Sequence, residues 1–264
     1  MTDRAYRRIG LVGDQYYMID SSEELYVTNY DEANISLLVD LRKKDEQDIN
    51  ILINLRSNSK LKLILFTIGN NNSYNLEINL DESSYLEFYT ADYLSNTNTN
   101  KTININGEGA EAKIYEFSSS SKENTVSGKF MMVHNAKNTT AHGEFVYLSK
   151  DNSKISKEII SKINKGMENS VSSENIRGLI LGEKSNINAK PILIIDCDDV
   201  HASHGCAIGT VDDNEIYYLM SRGLTKDEAM KIISRSLIIP FLKASTSQDF
   251  NEVINPYLEK MIEA

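Results

Sequence analysis

From residue 50 to about residue 210 the chain is a series of short apolar/polar alternations cut by runs of Asn, Ser and Gly. Tyr74-Asn-Leu-Glu-Ile-Asn-Leu80 alternates strictly, as does Thr102-Ile-Asn-Ile-Asn106. Asn50-Ile-Leu-Ile-Asn-Leu55 and Leu61-Lys-Leu-Ile-Leu-Phe66 alternate in part, and Leu86-Glu-Phe-Tyr89 is followed by Ala112-Lys-Ile-Tyr-Glu-Phe117. A period of two gives each strand one buried face and one wet face. The breaks, such as Gly69-Asn-Asn-Asn-Ser73 and Ser95-Asn-Thr-Asn-Thr-Asn100, mark turns or loops. Many short strands at fairly even spacing fold as a sandwich, a barrel or a β-solenoid. No repeat unit of fixed length stands out. The Asn and Ser rows read equally well as ladders stacked at coil corners or as ordinary turn formers. The periodicity leaves the three architectures open.

The strand pattern continues through Val146-Tyr-Leu148, Ile159-Ile160 and Leu179-Ile-Leu181. Pro191-Ile-Leu-Ile-Ile-Asp196 is the strongest strand, β-branched and with proline at its first position. Upstream, Ile9-Gly-Leu-Val-Gly13 and Glu24-Leu-Tyr-Val-Thr28 read as further strands, and the charged run from Arg42 to Asp48 as a solvated loop. After Asp212 the pattern turns helical. Asp212 or Asp213 caps a short helix to about Ser221, with Gly223 as its left-handed terminator. Thr225-Lys-Asp-Glu228 is a capping box for a second helix carrying Ala229, Ile232, Ile233 and Leu237, which Pro240 is expected to interrupt. Phe250, Val253, Ile254, Tyr257, Leu258, Met261 and Ile262 line one face of a last helix, where Pro256 predicts a kink or a late start. The chain therefore divides into an N-terminal segment (1–49), a strand-rich core (50–211) and a C-terminal helical region (212–264).

Charge narrows the function classes. The 264 residues carry a formal net charge of −10. That argues against a nucleic-acid binder, which needs a basic face. No segment approaches the roughly 20 apolar residues of a membrane span. The first residues, Met1-Thr-Asp-Arg-Ala-Tyr-Arg-Arg8, lack the apolar run of a secretory leader. Two cysteines are too few for a disulfide framework and suit a reducing compartment. The expectation is a cytoplasmic protein.

The chemistry concentrates between residues 196 and 223. Cys197, His201, His204 and Cys206 stand with Asp196, Asp198 and Asp199, and imidazole, thiolate and carboxylate all bind metals. No Cys-x-x-Cys pair closes a structural zinc site. An extended backbone would put 197, 199 and 201 on one face, with 204 depending on the turn. His204-Gly205, with Gly209 beyond, suggests a backbone that a Cβ would forbid. Gly205 to Gly209 is no phosphate loop, because no Gly-Lys-Ser/Thr follows. Ser203 beside His204 does not make a hydrolase pair, since adjacent strand residues point apart. His134 and His142 read as structural.

These residues also carry a resemblance. Asp198-Asp-Val-His-Ala-Ser-His-Gly205, then Gly209 and Asp212, then Tyr218-Leu-Met-Ser-Arg-Gly223 resemble the SufB/SufD family of the SUF iron–sulfur cluster assembly system. The run from Leu179 to Ile195 is similar to the family's Leu-rich segment ending in Pro-x-Leu-x-Ile, and His134 with Thr139 and Thr140 to its upstream His/Thr element. The resemblance implies a mainly β fold, a right-handed parallel β-helix with a small C-terminal helical region. It implies a SufD-like scaffold without turnover of its own, pairing with a SufB-like β-helix subunit and docking a SufC-like ABC ATPase. Self-pairing is expected when the chain is isolated. The cargo would be iron or a transient iron–sulfur cluster at the subunit interface, with His204 as the ligand from this chain and none stably bound to the chain alone. The helical region would dock the ATPase through Tyr217, Leu219, Arg222, Phe250 and Tyr257. Two departures stand out. The segment Ser172-Ser-Glu-Asn-Ile-Arg-Gly178 has no cysteine where SufB-like chains carry one, which favours the SufD-like role. The cysteine many SufD-like chains place two residues before the histidine is here Ala202, leaving Cys197 or Cys206 as substitutes. The chain also carries little of the family's N-terminal helical region. The competing reading is a β-helix carbohydrate-active enzyme using Asp196, Asp198 and Asp199 as carboxylates or calcium ligands.

Overall fold

The structure, a computed structural model, describes residues 7–11, 13–21, 23–27, 32–42 and 48–263. Odd-numbered strands form one eight-stranded sheet: β1 (Arg7–Leu11), β3 (Glu23–Val27), β5 (Asp48–Leu55), β7 (Ser73–Leu80), β9 (Thr97–Ile105), β11 (Thr125–His134), β13 (Lys154–Ile163) and β15 (Asn186–Ile195). Even-numbered strands form the other: β2 (Asp14–Ile19), β4 (Glu32–Asp40), β6 (Lys60–Asn70), β8 (Tyr85–Ser95), β10 (Glu111–Ser120), β12 (Thr140–Ser149), β14 (Ser170–Ile180) and β16 (Val200–Thr210). Successive strands alternate between the sheets, and each pairs in parallel with the strands one coil before and after it. That is a parallel β-helix, the architecture the resemblance implied and the periodicity alone left open.

The coil lengths explain why no fixed repeat was visible. Stacked partners lie 25 residues apart at Asn50 and Asn75, 29 apart at Asn135 and Asn164, and 31 apart at His142 and Ser173. What repeats is the geometry of the corners. Asn58, Asn71, Ser83, Asn96, Lys122, Asn138, Asp151 and Asn169 all have φ near +60°. Asn and Asp tolerate that left-handed backbone better than other residues with a Cβ. Other asparagines stack as hydrogen-bonded ladders: Asn50–Asn75–Asn100, Asn54–Asn79–Asn104 and Asn106–Asn135–Asn164, with steps of 2.6–3.0 Å. Both readings of the Asn rows hold, at different positions.

Two cores result. Inside the coil, Ile53, Leu63, Leu76, Phe88, Phe130 and Phe145 are among the side chains that form a continuous buried column. Each large apolar side chain so buried contributes about 1.5–3 kcal/mol relative to exposure. Outside the even sheet, Phe66, Ile68, Phe117 and Leu148 form a second core with the C-terminal helices. These are α1 (Asp213–Ser221), α2 (Lys226–Ala244) and α3 (Gln248–Ile262). α2 packs on β8 and β10, and α3 on β4 and β8. Among the described residues no helix is long and apolar enough to cross a membrane.

Several expectations change in detail. The parallel ladder does not start at residue 50: β1 to β4, in the N-terminal segment, are strands of the same coil. Residues 43–47 of the charged run lie outside the described residues. Pro191 is not the first residue of its strand but sits inside β15. It is tolerated because β15 is the edge of its sheet, where one side of the backbone has no ladder to serve. The helix caps are as read: Asp212 accepts from the Asn214 N–H, Thr225 and Glu228 form the capping box, and Gly223 has φ +96°. Neither proline ends its helix. α2 runs through Pro240 to Ala244, and α3 starts at Gln248 and runs through Pro256. Packing against the sheet outweighs the one backbone hydrogen bond that each proline removes. Tyr115 donates to the Leu237 carbonyl just before Pro240, and Lys150 donates to the carbonyls of Lys260 and Glu263 at the end of α3. A cation there suits the negative end of the helix.

Candidate functional site at the last coil

β16 is the outermost strand of the even sheet, paired in register with β14 alone. His201 to Thr210 are almost all exposed. Among the described residues, α2 and α3 pack on β4, β8 and β10 along the flank, and they leave most of β16 exposed.

Strand parity separates the residues that the sequence had gathered. In β14, Ser172, Glu174 and Ile176 are buried and alternate with more exposed neighbours, so they face the interior. Their partners in β16 are Ala202, His204 and Cys206, which therefore share the interior face. His201 and Ser203 lie on the outer face, beside Val171 and Ser173. His204 does not sit at a turn, as the sequence suggested, but in mid-strand. Gly205 is likewise not demanded by its backbone: it lacks a positive φ, and a Cβ there would meet only the Asn175 side chain at 3.5 Å. Cys197 and Asp196, Asp198 and Asp199 belong to the corner between β15 and β16, so the strand parity invoked for 197, 199 and 201 does not apply. Asp196 continues the row of corner asparagines. Its N–H bonds the Ile163 carbonyl at 3.0 Å, as that of Asn164 bonds the His134 carbonyl. The Asp199 carbonyl accepts from the Asn169 N–H at 2.7 Å. The backbone of the aspartates thus makes a corner, and their side chains are exposed there. Among the described residues, no group of three or more His, Cys, Asp or Glu could hold a metal ion.

Glu174, which sequence reading passed over, lies directly beside His204 in the ladder. It is 2% exposed, and neither carboxylate oxygen has a hydrogen-bond partner. The Ser161 side chain and backbone and the Ile192 backbone stand near enough to draw its pKa down, but none meets it at hydrogen-bonding length and angle. Burial dominates and pushes the carboxyl up to about 7. Burial also raises the Cys206 thiol, whose Sγ lies 3.9 Å from the Ala189 carbonyl oxygen. A glutamate among buried strand positions was the available sequence signal. Which face of that strand is interior is not legible from the sequence.

Deeper in the coil lies a balanced charge cluster. Lys101 Nζ contacts Asp92 at 2.7 Å, Glu116 at 2.9 Å and Thr90 Oγ1 at 3.0 Å. Lys157 lies 3.6 Å from Glu116 and donates to Thr99 at 2.6 Å, and the Tyr147 hydroxyl donates to Glu116 at 3.1 Å. Burial would raise the Glu116 pKa, but Lys101 and Lys157 overcome it and hold it at about 2. His134 is fully buried, with Nδ1 2.7 Å from Thr139 Oγ1, and burial lowers its pKa to about 4. His142 lies on the outer face, with Nδ1 2.7 Å from Ser173 Oγ.

The helical residues split two ways. Tyr217 is 74% exposed, and Tyr218, Met220 and Arg222 are also exposed, while Leu219 is half-buried. Phe250 is fully buried, with its ring edge-on to Tyr16. Tyr257 is packed with Phe66 and Tyr93 and accepts a hydrogen bond from Arg42 at 2.9 Å. The resemblance implied that Phe250 and Tyr257 would face the ATPase. Instead the flank of the coil takes up Phe250, Ile254, Leu258, Met261 and Ile262, with Tyr257 partly buried beside them.

Comparison with known proteins agrees with this architecture. Residues 20–237 match the family model described as SUF system FeS cluster assembly, SufBD core domain. The chain is 34% identical over 103 residues to the iron–sulfur cluster assembly protein SufD of Bacillus subtilis, covering 39% of this chain and 24% of that protein. It is 42% identical over 55 residues to SufD of Escherichia coli, covering 21% and 13%. It is 29% identical over 139 residues to a SufBD family protein of Mycobacterium tuberculosis, covering 53% and 16%. The matched segments thus span less than a quarter of the length of each of these relatives. The family match covers most of the coil and reaches into α2, so this chain belongs to the SufB/SufD family of the SUF system, as a SufD-like member.

Proposed function

We propose that the chain is a scaffold subunit for iron–sulfur cluster assembly, with no turnover of its own, whose last coil is the assembly face. The observation that carries this reading is the uncapped β16 edge with His204 on its interior-facing side. An open parallel edge is a template for further strand pairing. A SufB-like β-helix would supply the complementary edge, and a second copy of this chain would occupy it when no such subunit is present. Iron or the growing cluster is cargo at that junction. Neutral imidazole suits ferrous iron, and Cys206, two residues along on the same face as His204, stands in for the cysteine missing at Ala202. Cys197, on the corner, is less well placed. The SufC-like ATPase would dock on α1 and the outer side of α2, where Tyr217, Tyr218, Met220 and Ile232 remain exposed. Phe250 and Tyr257 hold the helices to the coil instead.

The test is co-expression with a SufB-like subunit and a SufC-like ATPase, followed by iron and sulfide analysis of the purified complex. His204→Ala is expected to lower cluster content several-fold. Because His204 is exposed, the melting temperature of the chain should stay within a degree or two of wild type. Unchanged cluster content would remove His204 from the site.

A further inference from the structure

We infer that Glu174 and His204 form a two-residue half-site for a divalent cation at the mouth of the coil. This rests on the reading of the last coil as the assembly face and adds a residue to it. The two residues are in-register partners on adjacent parallel strands and share the interior face. Neighbouring strands lie about 4.8 Å apart, so a long carboxylate side chain and an imidazole stacked in this way can reach one ion between them. Glu174 is 2% exposed with both oxygens unpartnered. A buried carboxylate without a donor is costly, and it is retained where something external completes it.

The charged network further in shows what completion looks like. Asp92 and Glu116 are equally buried, and each has a lysine within 3 Å. Glu174 has no such counterion. Its in-register neighbour toward the open end of the coil is His204. One oxygen donor and one neutral nitrogen donor suit a borderline divalent metal such as ferrous iron rather than a soft monovalent one. A lysine from a partner would satisfy the carboxylate but leave the imidazole idle, so the pair favours a metal. The remaining coordination positions face the open end, where water or the partner subunit can fill them.

Cobalt(II) titration of the isolated full chain under anaerobic conditions, followed by its visible d–d bands and by calorimetry, tests the half-site. In contrast to the resemblance, which implied no metal held stably by the chain alone, wild type is expected to bind one ion, with Glu174→Gln and His204→Ala each weakening binding at least tenfold. Glu174→Gln should at the same time raise the metal-free melting temperature in buffer well above pH 7, where the raised pKa leaves the wild-type carboxyl ionised and buried without a counterion. Weaker metal binding in a more stable protein is not the signature of a merely structural residue. The inference is overturned if wild type binds no ion, or if Glu174→Gln binds as wild type does. If only His204→Ala loses the ion, Glu174 is out and the proposed function stands. If cluster content of the complete complex is untouched by His204→Ala as well, the assembly-face reading falls separately.

Discussion

At the scale of single residues, burial of charge is the dominant theme of the coil interior. Lys101 is held between Asp92 and Glu116, which keep its pKa well above the usual lysine value despite the desolvation that opposes them. Removing one member of such a group leaves its partners charged and unpaired in a dry column. Lys101→Met is therefore expected to cost about 3–5 kcal/mol, measured by urea unfolding. Adding Asp92→Asn should recover part of that loss. A cost below about 1 kcal/mol would mean that water reaches the cluster. The contrast with Glu174 is informative. Both sites bury a carboxylate, but only the inner one carries its own counterion.

At the scale of elements, the helices are divided between holding the coil and facing outward. α3 spends Phe250, Ile254, Leu258, Met261 and Ile262 on the flank. α1 buries only Ile216 and leaves Tyr217, Tyr218 and Met220 in solvent. Exposed apolar side chains grouped on one short helix commonly mark a partner site. Tyr217→Glu is expected to weaken co-purification of a SufC-like ATPase at least tenfold, with the melting temperature of the chain unchanged. Retained ATPase binding would place the dock on another surface. Phe250→Ala tests the opposite role. It should cost about 3–5 kcal/mol as a core truncation rather than act on the partner directly.

At the scale of the whole molecule, the helices and the coil form one packed unit. Truncation after Asp212 would bare Phe66, Ile68, Phe117 and Leu148 on the even sheet. The truncated chain is expected to aggregate or to melt at a clearly lower temperature than the full chain, measured by light scattering and circular dichroism. If it stayed monomeric with an unchanged melting temperature, the second core would contribute little. Loss of ATPase binding in such a truncation would not by itself locate the dock, so point changes on α1 are the sharper probe.

The sequence by itself determined the strands and the helix caps, and it singled out the segment on which the proposed assembly face rests. Those follow from local rules: period two, the Thr225–Glu228 box, and the Asp-to-Gly run between residues 196 and 223. It also carried the family motifs, and through them the choice of a β-helix. Only the tertiary structure decided which face of each strand is the inside. His201 and His204 are three residues apart, but opposite faces of β16 separate them, whereas Glu174 and His204 are thirty positions apart and stacked. Stacking depends on coil length, and coil length varies from corner to corner, so no local pattern could announce it. The fate of the α3 stripe was equally beyond sequence. An amphipathic helix shows that it will be buried, and only the packed fold shows that this chain's own flank buries it.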